Sequence, residues 1–112
     1  MVNSKAKGGR GEREFANFLK EKFNVSARRG IQFAGGADSP DVVTDIDGVH
    51  FEVKRTETLS LYKAMEQARN DCGDGVPVVA HRRSRRDWLL VIEAKDMAAF
   101  SNAIVNGINN EN

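Results

Sequence analysis

Cysteine is nearly absent. Cys72 stands alone in 112 residues, which excludes an intrachain disulfide and fits a reducing cytoplasm. With only His50 and His81 beside it, Cys72 also leaves too few soft ligands for a structural zinc site. Proline is scarce at 2 residues, against 40% hydrophobic and 29% charged, a balance that excludes a low-complexity chain and predicts a soluble globular one. No apolar run approaches the roughly 18 residues of a membrane-spanning helix. The start, Met-Val-Asn-Ser-Lys-Ala-Lys, is polar and basic with no apolar core behind it, and does not read as a secretory signal. Aromatics are few, 1 Trp, 1 Tyr and 6 Phe, and none interleave with the basic runs. Stacking on single-stranded bases is therefore disfavoured.

Charge of one sign is missing only on average. The net charge is +1, but residues 1–30 carry +5, residues 31–60 carry −4, residues 61–90 carry +2 and the remainder −2. An acidic middle thus lies between two basic blocks. The second block is concentrated: His81-Arg82-Arg83-Ser84-Arg85-Arg86 holds 4 arginines in 6 positions. Such clusters attract phosphate backbones, with a solvated loop as the plain alternative.

Length and patterning predict one domain over residues 1–112, with residues 1–9 as a flexible basic entry and 109–112 as a polar tail. Gly8, Gly9 and Gly11 suggest the flexible entry. They do not make a nucleotide-binding loop, because no Gly-Lys-Ser/Thr follows and no strand precedes. Phe15, Phe18, Leu19 and Phe23 recur at helical steps and predict a helix over 10–23. Strands are predicted at 25–29, 41–45 and 49–55, with Asp47-Gly48 as a hairpin turn joining the last two. Helix follows over 59–72, strands over 76–80 and 88–92, and helix over 94–108. The order αβββαββα implies an α/β (α+β) domain, a central mixed β-sheet flanked by helices.

The strand over 49–55 alternates cleanly. Val49, Phe51 and Val53 share one face; His50, Glu52 and Lys54 share the other. Glu52 and Lys54 stand ~6.6 Å apart on the polar face. The hairpin would bring Asp41 close to Glu52. Two adjacent carboxylates repel, and a hard divalent ion such as Mg²⁺ between them relieves the repulsion. Lys54 would then place a positive charge beside the scissile phosphate or the attacking water. On the first helix, at ~100° per residue, Glu12 lies about 45° from the centre of the apolar stripe and Glu14 about 115°. Glu12 thus points inward and needs a cation, either a metal or a basic side chain, while Glu14 points to water.

Taken together, Lys7-Gly8-x-x-x-Glu12-Arg13-Glu14, Pro40-Asp41-Val42-Val43 and Phe51-Glu52-Val53-Lys54 resemble the PD-(D/E)xK nuclease superfamily. The Gly-x-x-x-Glu-Arg-Glu start looks most like archaeal-type Holliday-junction resolvases and their phage-encoded relatives. The resemblance covers residues 7–55 by motif and the rest by element order. It implies a restriction-endonuclease-like fold and a homodimeric, Mg²⁺-dependent endonuclease cutting four-way DNA junctions in recombination and repair, in the host cytoplasm if phage-encoded, with Mn²⁺ able to substitute. Glu12, Asp41, Glu52 and Lys54 would be the catalytic residues. Asp41, Glu52 and the Val53 carbonyl would be the metal ligands. Arg13 would contact phosphate, Ser39 would match the family's serine, and Gln67 would match the glutamine that follows the Glu-x-Lys strand.

The remaining basic residues, Lys5, Lys7, Arg10, Arg28, Arg29, Arg82, Arg83, Arg85 and Arg86, would meet the DNA backbone. Trp88 reads as core or dimer contact. His81 reads as a phosphate contact or an exposed turn residue, and His50 as a neighbour of the site without a catalytic role. Other readings keep part of this picture: a repair, restriction or general phage nuclease with another DNA substrate, a DNA-binding module without turnover, or an RNA-directed nuclease or nucleic-acid chaperone.

Overall fold

A computed structural model describes residues 4–30 and 41–109, with side chains from Gly9 onward in the first helix. Helix α1, Ser4–Phe23, is followed by strands β1, Ala27–Arg29, β2, Val42–Thr44, and β3, Val49–Arg55. Helix α2, Leu61–Asp71, leads to β4, Val76–Arg82, and β5, Leu89–Val91; a 3-10 turn, Ala94–Asp96, then opens helix α3, Met97–Asn109. The expected element order is therefore present. The first helix starts six residues before the expected Arg10.

The strands do not form one central sheet. β1 and β2 make a two-stranded antiparallel sheet, and β3, β4 and β5 make a mixed three-stranded one, with β3 parallel to β4 and β4 antiparallel to β5. The expected β2–β3 ladder is replaced by a β1–β2 ladder in which Ala27 faces Thr44 and Arg29 faces Val42. The physical reason lies at Asp41, whose Oδ2 accepts the Val53 N–H at 2.8 Å. That amide is one of the donors a β2–β3 ladder would need, and a side chain has taken it.

Two apolar layers sandwich the three-stranded sheet. On one side Phe15, Ala16 and Leu19 of α1 pack with Val42, Ile46, Phe51, Val78 and Ala80. On the other, Ala64, Met65 and Ala68 of α2 pack on Val79. β4 serves both layers, as the apolar run 76–80 predicts for a strand buried on both faces. Trp88 joins the first layer, its ring 4.9 Å from that of Phe15.

The glycines near the N-terminus are packing positions. Gly9 and Gly11 lie inside α1, and both are buried. A Cβ on Gly9 would stand 3.0 Å from the Arg29 guanidinium, and one on Gly11 would stand 2.7 Å from the Arg55 Cβ. Two side chains of the strands thus lie directly against the helix backbone. Among the described residues no helix is long and apolar enough to cross a membrane.

Candidate functional site

The polar face of β3 looks onto α2. Glu52 sits opposite Val79 in the β3–β4 register, and Val79 packs under α2. Side chains of His50 and Glu52 are therefore covered, with only 8% and 5% exposed. On α2, Gln67 and Asp71 are one helical turn apart and share a face. Lys54 Nζ donates to Gln67 Oε1 at 2.8 Å. One turn on, ligand atoms of Asp71, His50 and Glu52 all lie within 4.8 Å of one another. Strand and helix run in opposite directions, so the row His50, Glu52, Lys54 meets the pair Asp71, Gln67 across a narrow polar seam. The cluster of His50, Glu52 and Asp71 is able to hold a metal ion.

Glu52 divides its two oxygens along that seam. Oε1 is 3.5 Å from His50 Nε2, and Oε2 is 3.6 Å from Lys54 Nζ. Lys54 is thus held between a carboxylate and an amide oxygen, which fixes an otherwise mobile four-carbon stem.

Asp41 reaches the same strand from its open edge. Its carbonyl accepts the Gly30 N–H at 2.8 Å, locking the residue to the β1–β2 ladder, while its carboxylate takes the Val53 N–H. In an extended strand the N–H and C=O of one residue leave on the same side, so the Val53 carbonyl also opens toward Asp41. Burial, with the nearby Glu52 charge second, raises the Asp41 carboxyl to about 7. The Val53 hydrogen bond and His50 pull the other way, and Glu12 adds to the rise. A carboxyl so placed holds its proton near neutrality unless a cation joins it.

Glu12 does point inward, with its side chain 13% exposed, and its partner is Arg29, whose Nε lies 2.8 Å from Oε1. Of the two cations open to it from sequence, the basic side chain is the one observed. Glu14 departs from expectation. It does not face open water: Oε1 accepts from Arg55 Nε at 3.1 Å and also pairs with Arg82. Helical phase alone misses this, because Arg55 and Arg82 come from β3 and β4 to meet it.

Among the described residues the basic side chains divide into anchored and exposed. Arg29 is taken by Glu12 and Arg82 by Glu14. Arg10, Arg13, Arg28, Arg83, Arg85 and Arg86 are exposed. The turn after β4 is pinned where Ser84 donates through its N–H and hydroxyl to Glu57 Oε2, at 2.9 and 2.8 Å, bonds that hold the Glu57 carboxyl below its ordinary range. His81 places Nε2 2.9 Å from the Thr56 carbonyl, a contact that ties β4 to the end of β3. The Lys7 side chain and all of Ser39 lie outside the described residues.

Asp41, Glu52, Lys54 and Gln67 are therefore brought to one strand, with Glu12 near enough to be felt by Asp41. Asp71 was not singled out by the sequence. Its signal was there, four positions after Gln67 on one helical face, but it acquires meaning only when α2 is laid against β3. Compared with known proteins, the chain matches no family model, no curated protein and no solved structure.

Proposed function

We propose that this chain is a Mg²⁺-dependent endonuclease that hydrolyses DNA phosphodiesters, acting as a homodimer on four-way junctions. The observation that carries the reading is Asp41: a half-buried carboxyl beside Glu52, pushed up to about 7, and held by the Val53 amide against β3, the strand that carries Glu52 and Lys54. Lys54 answers Glu52, but among the described residues no cation answers Asp41, and a hard oxygen-seeking ion between the two carboxylates would. Asp41, Glu52 and the Val53 carbonyl would hold Mg²⁺ or Mn²⁺. Bound there, the ion would supply Lewis acidity at the scissile phosphate.

The chain's own groups do the rest. Lys54, oriented by Gln67 and Glu52, presents its ammonium to the attacking water and to charge developing on the phosphate. Glu12, neutralised by Arg29, shapes the approach and keeps Arg29 beside the site. The exposed arginines contact the DNA backbone and give affinity without base readout. Likeness to the PD-(D/E)xK nucleases in the three motifs supports the junction substrate and the dimer.

The test uses a synthetic four-way junction and a linear duplex of the same sequence, each with Mg²⁺, and with wild type and Glu52→Gln. Symmetric paired nicks on the junction alone, lost in Glu52→Gln while junction binding persists, support the proposal. Equal cutting of both substrates makes it a nuclease of other specificity. Binding without cutting in any metal makes it a DNA-binding module.

A further inference from the structure

Glu52 shows one oxygen to Lys54 and the other to a second group of ligands. His50 Nε2, a Glu52 oxygen and an Asp71 oxygen lie within 4.8 Å of one another, and the His50–Glu52 separation is already 3.5 Å. Ligand atoms around a tetrahedral ion with bonds of about 2.0–2.1 Å stand roughly 3.3 Å apart, so small side-chain rotations close the set. Two features separate this group from an ordinary surface cluster. His50 and Glu52 are more than nine-tenths buried. Asp71 is half-buried and, among the described residues, no hydrogen bond or ion pair satisfies its carboxylate. A depression lined by Gly48, Val49 and Gly75 opens onto His50 and Asp71 and gives an ion a way in.

The donor set fixes the ion class. One imidazole with two carboxylates suits borderline divalent transition ions, whereas Mg²⁺ prefers all-oxygen surroundings and keeps its waters. We infer that His50, Glu52 and Asp71 form a binding site for a Zn²⁺-class transition ion, adjoining the Asp41 edge and sharing Glu52 with it. The site itself stands independently of the proposed nuclease. Its coupling to the nuclease rests on that reading: an ion held here engages Glu52, places a second dication beside the first, and weakens Mg²⁺ binding at Asp41. By reciprocity, Mg²⁺ weakens the transition ion by the same factor.

The experiment takes the tag-free, chelator-stripped chain and titrates Zn²⁺ by calorimetry and Co²⁺ by visible absorption. One ion per chain is expected, with a Co²⁺ spectrum distinct from that of the aqua ion. His50→Ala and Asp71→Asn should each weaken binding by at least about tenfold, and Asp41→Asn should leave it in place. Circular dichroism establishes that each variant is folded; Asp71→Asn, at the half-buried end of α2, keeps the shape of the side chain and serves if His50→Ala does not fold. Unchanged affinity in the folded Asp71→Asn protein, or an aqua-like Co²⁺ spectrum with wild type, overturns the site. Cleavage assays separate the two ideas. Transition-ion binding without any Mg²⁺-dependent cutting defeats the nuclease alone, and Mg²⁺-dependent cutting with no transition-ion site defeats this inference alone. Cutting that Zn²⁺ suppresses in wild type and not in Asp71→Asn supports both.

Discussion

Glu14 and Asp41 approach the same strand β3 from its two neighbours, and they are treated in opposite ways. Glu14 comes from α1 and is met by two guanidiniums, of Arg55 and Arg82. It ties helix α1 to β3 and β4, and its charge is fully answered. Asp41 comes from the start of β2, is half-buried beside Glu52, and among the described residues its carboxylate receives the Val53 amide and no cation. A protein that can supply two arginines to one half-exposed carboxylate leaves Asp41, among the described residues, with no cation of its own, and gives Glu52 the single ammonium of Lys54. Compensated charge holds the fold together; a half-buried carboxyl left to one amide beside a second carboxylate marks the place where something else is meant to bind.

The sharpest way to break that contrast is to neutralise each acid in turn. Asp41→Asn should reduce Mg²⁺-dependent cleavage by roughly 10³-fold, as expected for loss of a group acting directly on the reacting centre, and should raise stability at pH 8, because a half-buried charge beside Glu52 is gone. Glu14→Gln should do the reverse, keeping cleavage within about threefold per folded molecule while destabilising the chain. Single-turnover cleavage and urea unfolding on the same preparations measure both. If the two variants behave alike, the distinction between the two carboxylates is wrong.

Titration sharpens the same contrast without mutation. The Asp41 carboxyl moves from an ordinary 3.8 to about 7 on folding, so the folded chain holds one more proton than the unfolded chain between those values. Its favourable contribution is complete below about 4 and is lost as pH rises through about 7. That rise corresponds to at most about 4 kcal/mol. Urea unfolding of the chelator-treated protein should show falling stability from pH 5 to pH 8, and the fall should flatten in Asp41→Asn. Glu52→Gln should reduce it as well, since the Glu52 charge is the second cause of the rise.

Removing the compensated acid has a smaller, purely structural effect. In Glu14→Gln two arginines lose their shared anion, but both are partly exposed, at 23% and 30%, and water recovers part of the loss. We expect about 1–2 kcal/mol of destabilisation, read as a lower urea midpoint with unchanged slope. A loss under about 0.3 kcal/mol would mean that the Arg55–Glu14–Arg82 junction does not hold the helix in place.

This division was only partly legible in the sequence. The element order was, because Phe15, Phe18 and Leu19 set a helical period and the run from Val49 to Lys54 sets a period of two. The face shared by His50, Glu52 and Lys54 followed directly. What local pattern cannot supply is the partner. Gly11 reads as a flexible residue until Arg55, 44 positions later, is found lying on it. Glu14 reads as solvated until Arg55 and Arg82 arrive from separate strands. Asp47-Gly48 marks a turn correctly, but a turn signal does not say which strand β2 will pair with once a side chain has taken the Val53 amide. Asp71 carries no motif of its own, and its neighbours His50 and Glu52 are some twenty residues away in the chain.

The smallest expected effect lies in the arginine turn, where the same contrast recurs between adjacent residues. Arg82 is committed to Glu14 and donates to the Arg86 carbonyl. Arg85 is exposed with a left-handed backbone, φ 64°, and among the described residues no ion pair holds it. Left-handed backbone in a non-glycine residue is sparsely populated and persists where the surroundings fix it, here within a turn whose Ser84 is bound to Glu57. If the free arginines meet phosphate, Arg85→Gln should lower the slope of log affinity against log salt by about 0.9, without changing stability. Arg82→Gln should lower stability by up to about 1 kcal/mol and leave the slope nearly unchanged, because its charge is already spent within the fold. Fluorescence anisotropy on junction DNA across a salt series, with urea unfolding alongside, reads both quantities. An equal slope change in the two variants would mean that Arg82 leaves Glu14 for the DNA, and the boundary between anchored and free charge would then have to be drawn for the complex.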